Sequence, residues 1–166
     1  QNKVISGQTA SAEYDHVLST LRDESGAPIK HQVETLLNEY SDYPYAALAA
    51  MLEAKQLIAT DKPDQAEEKY QWVIANAKAQ NLQHISRVRL ASLMASQGKN
   101  EQALELLNVD EGSFKASYLE VKGDILVTLK RIEEARSAYD QALQAYAAIG
   151  SNSQILKIKR NDLGNS

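Results

Sequence analysis

Cysteine is absent from the 166 residues. That removes thiol nucleophiles, disulfides and zinc–thiolate sites together. It also suits an oxidising compartment, where a free thiol is a liability. Breakers are scarce, with seven glycines and three prolines. Aromatics are few: eight tyrosines, Phe114 and Trp72. No uncharged apolar run reaches the ~18 residues that a membrane span requires. No strong charge of one sign exists either, since the net charge is −4. Residues 1–80 carry 7 basic and 12 acidic groups, and residues 81–166 carry 11 and 10. The absence of a basic stripe argues against nucleic acid as a partner. The nearest thing to one, Lys157, Lys159 and Arg160, reads as a solvated face or as cations complementing a helix dipole.

What is present is globular and helical. Hydrophobic residues make up 43% and charged residues 24%, near the averages for folded domains. Alanine, the best helix former, is abundant. Gln1 rather than Met opens the chain, so a removed upstream segment is expected. Residues 1–10 read as a flexible lead-in and 11–166 as a single domain. Apolar residues then recur at three- and four-residue spacing, as in Tyr14, Val17, Leu18 and Leu21, which marks one face of a helix. About nine helices follow, broken at Gly26–Pro28, Ser41–Pro44, Asp61–Pro63, Gly98, Asp110–Ser113 and Gly150–Asn152. Turns of two to five residues make neighbouring helices antiparallel. No segment alternates with period two for long enough to predict a strand.

Three helix pairs superpose, over about residues 47–80, 84–110 and 116–149. Each has a small residue in its first helix and an alanine twelve positions later in its second: Ala54 with Ala66, Ala91 with Ala103, Gly123 with Ala135. A large apolar residue follows the first by three positions (Leu57, Met94, Leu126) and the second by four (Tyr70, Leu107, Tyr139). Two helices that cross closely need a side chain no larger than alanine at the crossing, with bulk on either side. One pair leaves an apolar face exposed, so pairs must stack. Glu53 and Val73 depart from the pattern in the first copy. Asp110 departs in the second, where the second helix is expected to be cut short. A capping helix is expected over about 153–163.

These residues resemble the tetratricopeptide repeat family. The resemblance implies an all-α, right-handed array of antiparallel helix pairs: three recognisable repeats, degenerate N-terminal helices and a C-terminal cap. A narrower resemblance rests on Tyr43-Pro44-Tyr45-Ala46-Ala47-Leu48-Ala49-Ala50, Arg87-Val88-Arg89-Leu90-Ala91, Gly123-Asp124-Ile125-Leu126 and Ala135-Arg136-Ser137-Ala138-Tyr139. Together with Lys157-Ile158-Lys159 they are similar to the YfgM-type ancillary subunits of the bacterial Sec translocon. That implies the periplasmic part of a protein held in the inner membrane by one N-terminal anchor, missing from this chain. The implied partners are the SecYEG translocon, a periplasmic chaperone of the prolyl-isomerase class and unfolded clients. A repeat adaptor or lipoprotein of another assembly is the alternative.

Little points to chemistry. Among His16, His31 and His84, His31 has a carboxylate at ligand spacing, Glu34, but a metal needs three or four ligands. Gly98-Lys99 lacks the rest of a phosphate loop. Glu67-Glu68 and Glu133-Glu134 open second helices, where acidic residues complement the dipole. No catalysis, cofactor or metal is expected. Function should instead lie on the stripe opposite the close-packed residues of the first helices, the concave side of such an array. The stripe comprises Leu48, Met51, Lys55 and Ile58, then Ile85, Val88, Ser92 and Ala95, then Ser117, Glu120, Asp124 and Val127. It starts apolar and turns acidic. Two readings stay open: a binding groove, or a core filled by the N-terminal helices. Tyr40, Tyr43 and Tyr45 form a corner that reads first as packing.

Overall fold

The structure, a computed structural model, describes residues 2–23 and 25–164. Among these lie nine α-helices and no strand. They are α1 (Asn2–Arg22), α2 (Lys30–Glu39), α3 (Pro44–Ala59), α4 (Pro63–Asn76), α5 (Gln80–Ser96), α6 (Asn100–Leu106), α7 (Lys115–Thr128), α8 (Ile132–Ala148) and α9 (Gln154–Asp162). A 3₁₀ turn, Gly112–Phe114, precedes α7. Residues 1–86 and 87–166 gather into two compact units, where the sequence pattern reads as one continuous domain.

Local chemistry explains the helix ends. Pro44 and Pro63 open α3 and α4, where a missing N–H costs nothing. The turn inside each helix pair is built alike. Asp61, Gly98 and Lys130 take φ of 57°, 80° and 59°, and each stands at the same repeat position. The next amide then closes back on the large apolar residue of the first helix. Lys62 N donates to Leu57 O at 2.8 Å, Lys99 N to Met94 O at 2.9 Å and Arg131 N to Leu126 O at 2.9 Å. This left-handed closure satisfies carbonyls that a helix end leaves orphaned.

In the first unit, α1, α2 and α3 share a core of Ala10, Val17, Ile29, Val33, Leu36, Ala46 and Ala49. The lead-in expected over 1–10 is helical from Asn2. Tertiary contacts hold it: Tyr43 Oη donates to the carbonyl of Lys3 at 2.9 Å, and Gly7 lies against the Tyr43 ring. Gln1 falls outside the described residues. The tyrosine corner is packing, with Tyr14 and Tyr45 centroids 5.5 Å apart and Tyr40 and Tyr43 6.4 Å apart.

In the second unit, Ala91, Ala103, Leu107, Tyr118 and Ile125 form one cluster, and Tyr139, Ala142 and Leu156 another. The small residues sit at crossings. Ala54, Ala66, Ala91, Ala103 and Ala135 have no exposed surface. A Cβ placed on Gly123 would lie 2.3 Å from Cε1 of Tyr139. α6 is short, 7 residues against 14 in α4 and 17 in α8.

Candidate functional site

The stripe residues of α3 are not equivalent. Met51 is only 7% exposed and packs with Ala47, Ala50, Val73, Ala77 and Leu82. It belongs to the core, where the sequence left a groove and a core both open. Two adjacent elements, α4 and α5, close over it. Leu48 and Ile85 are half-buried against the same cluster. Lys55 is exposed and Ile58 is 42% exposed. The N-terminal helices cover the Ala46 and Ala49 flank of α3 instead, although half-buried Leu37 of α2 also reaches the Met51 cluster. In the second unit Val88 is half-buried beside Ala91 and Ala103.

The acidic end of the stripe is already paired. Lys159 of α9 brings Nζ to 3.2 Å from Glu120 Oε1 and 2.9 Å from Asp124 Oδ2. Tyr139 donates to Asp124 Oδ1 at 2.6 Å, and Tyr146 donates to Glu120 Oε2 at 2.8 Å. Desolvation opposes the Lys159 charge, but the two carboxylates outweigh it and hold its pKa above the ordinary value. Burial, then the bond to Asp124, pushes the Tyr139 phenol well up. Arg160 pairs with Asp140 at 2.7 Å. Ser153 caps α9 by accepting from Leu156 N at 3.2 Å. Fully buried Leu156 anchors the helix. Two of the three cations read as a solvated face are thus a clasp for α9. Their partners are 20 to 39 residues away in sequence, so no local spacing announces them.

Glu53, which breaks the repeat pattern, is 3% exposed. Lys69 Nζ lies 3.2 Å from its Oε2. Burial raises the carboxyl pKa, and the attraction of Lys69 offsets this only in part. The pair links α3 to α4. Among the described residues no three His, Asp or Glu side chains converge as metal ligands. No described helix is long and apolar enough to cross a membrane.

Repeated small-residue crossings, recurrent left-handed turns and a clasped terminal helix define a helical-repeat protein. The family profile of the tetratricopeptide repeat-like domain matches residues 1–165. The ancillary SecYEG translocon subunit of Haemophilus influenzae is 30% identical over 157 residues, covering 93% of this chain and 74% of that one. Its Neisseria gonorrhoeae counterpart is 26% identical, covering 98% and 79%. The chain belongs to the tetratricopeptide repeat-like family that these ancillary subunits represent. A solved structure of Pseudomonas aeruginosa PilF superposes with a TM-score of 0.71 at 16% identity, covering 95% of this chain and 68% of that one. At that identity the likeness concerns the fold alone.

Proposed function

We propose that this chain is the protein-interaction domain of an ancillary subunit of the Sec translocon. It is a non-catalytic scaffold on the periplasmic side of the bacterial inner membrane. The observation that carries this reading is the similarity to named ancillary SecYEG subunits along almost the whole chain, on a fold whose pairs stack to present surface. Binding uses the open part of the stripe in the first unit: Ile58, Lys55 and the half-buried Leu48 on α3, with the half-buried Ile85 on α5. The likeness to YfgM-type subunits supports a chaperone of the prolyl-isomerase class as a second partner, and unfolded segments as clients. Contacts of this kind are weak, because ordering a flexible segment offsets much of the apolar burial. They depend little on salt, since Lys55 is the one charge on the apolar part.

The test is co-purification. Tagged full-length protein, solubilised from its own membranes in mild detergent, is expected to bring SecY, SecE and SecG with it in fixed ratio. Absence of all three from membranes that contain them would overturn the reading.

A further inference from the structure

α9 lies on α7 and α8 as a ligand would. Of its nine residues only Leu156 is buried, in an apolar seat made by Tyr139 and Ala142 with Leu119 and Leu143 beside them. Lys159 and Arg160 follow on the same face of the helix. Lys159 reaches Glu120 and Asp124 of α7, and Arg160 reaches Asp140 of α8. Leu163 packs beside the same seat, and Arg136 donates to its carbonyl at 3.1 Å. The acidic part of the seat does not depend on α9. Tyr139 and Tyr146 of α8 donate to the two carboxylates that Lys159 bridges, so both stay in place whether or not an ammonium lies between them. The attachment is light. Ile155 and Ile158 remain 69% and 60% exposed, so docking buries neither, whereas a helix that only caps a stack presents a polar outer face. The ion pairs are partly solvated, where each contributes little. Gly150 turns the chain at φ 72° and no helix runs through residues 150–153, so α9 can lift without unwinding α8.

We propose that α9 is the displaceable occupant of a binding site, and that a basic amphipathic helix of a partner protein takes the same seat. The chemistry of that ligand is the chemistry of the helix now seated. It needs an apolar residue, Lys and Arg three and four positions later, and a second apolar residue at the seventh, as Leu156, Lys159, Arg160 and Leu163 are spaced. A neutral or acidic helix would cover Glu120 and Asp124 without pairing them, which costs more than the burial returns. Both carboxylates belong to the acidic end of the stripe, so α9 masks the charged part of that face until a competing helix removes it. Because α9 is tethered beside its own seat, it competes at high effective concentration, and a free helix binds the intact chain with reduced apparent affinity. None of this rests on translocon association.

The probes are two labelled, side-chain-bridged alanine peptides. One carries Leu, Lys, Arg and Leu at the spacing of α9, and the other has glutamates in place of Lys and Arg. Anisotropy titrations with the purified chain are expected to show saturable binding of the basic peptide only. Leu156→Ala with Lys159→Ala loosens α9 and should tighten that binding about tenfold or more. Glu120→Gln with Asp124→Asn should abolish it, with melting temperatures near wild type establishing that the variants fold. The chain has no cysteine, so spin labels on Gln141→Cys and Ile158→Cys, both exposed, report where α9 lies. Their separation should lengthen as the basic peptide saturates an otherwise unaltered chain, which tests displacement even if a loosened variant does not fold. Failure of the basic peptide to bind, equal binding of the two peptides, or an unchanged label separation at saturation overturns the proposal. So does a dimer, seen by sedimentation, that exchanges α9 between two chains, because the occupant would then be a second copy.

Discussion

Gly123 has no room for a side chain. Its nearest neighbour is the ring of Tyr139, which a 2.6 Å hydrogen bond to Asp124 holds in place. Gly123→Ala would gain up to about 1 kcal/mol of helix propensity, yet the added methyl must displace that ring. Overpacking of this kind costs about 1–3 kcal/mol, so a net loss is expected as a lower urea midpoint at unchanged slope. An unchanged or higher midpoint would contradict the crossing. This position was legible in sequence because close approach is a local demand repeated in three copies. Glu53 was legible only as a departure. Its carboxyl is held above the ordinary value by burial, so the folded state binds the proton more tightly than the unfolded state. Stability therefore rises as pH falls through the raised folded pKa towards the unfolded value, 4.5, and is lost as pH climbs back. Lys69 on α4 and Glu34 and Lys30 on α2 are the charges that act on it. Melting curves of Glu53→Gln against wild type across that window should differ by this contribution. A difference that does not vary with pH would contradict it.

At the scale of elements, the turns carry stored strain. Lys130 adopts φ of 59°, a conformation that costs an L-residue roughly 1–2 kcal/mol. Gly98 meets the same demand without a Cβ. Lys130→Gly should therefore stabilise the second unit by up to about 1 kcal/mol, the relief of strain outweighing the entropy that glycine adds to the unfolded chain. Thermal unfolding reads it directly, and a lowered melting temperature would show that the turn prefers its lysine. The break at Asp61–Pro63 was legible, and Asp tolerates a left-handed conformation, but nothing about Lys130 signals one; the hydrogen bond back to Leu126 imposes it there. The shortness of α6 was legible, since Asp110 stands where the repeat wants an apolar residue. The first turns of α1 were not, because their partner is Tyr43, 40 residues from Lys3. The α9 clasp shares that character: Lys159 reads as solvent-facing until Glu120 and Asp124 are brought beneath it.

Over the whole molecule, the fold was readable, and which residues of the proposed stripe lie open only in part. Repetition fixes which face of each first helix is close-packed. It does not fix how far the neighbouring pair closes over the opposite face, and that closure takes Met51 into the core while leaving Ile58 open. The two residues should behave oppositely. Met51→Asp buries an unpaired carboxylate at a cost of several kcal/mol and should unfold the first unit. Ile58→Asp should melt near wild type and lose partner binding. Circular dichroism with melting separates these outcomes, and two variants that both unfold would make the entire stripe core.

In the function proposed, the chain holds the translocon through its exposed stripe. A photoreactive benzoylphenylalanine in place of Ile58, in the full-length protein within its own membranes, tests it most directly. Irradiation should yield an adduct with a translocon subunit. Irradiation that gives no translocon adduct from position 58, nor from position 85, in membranes containing SecYEG would contradict it.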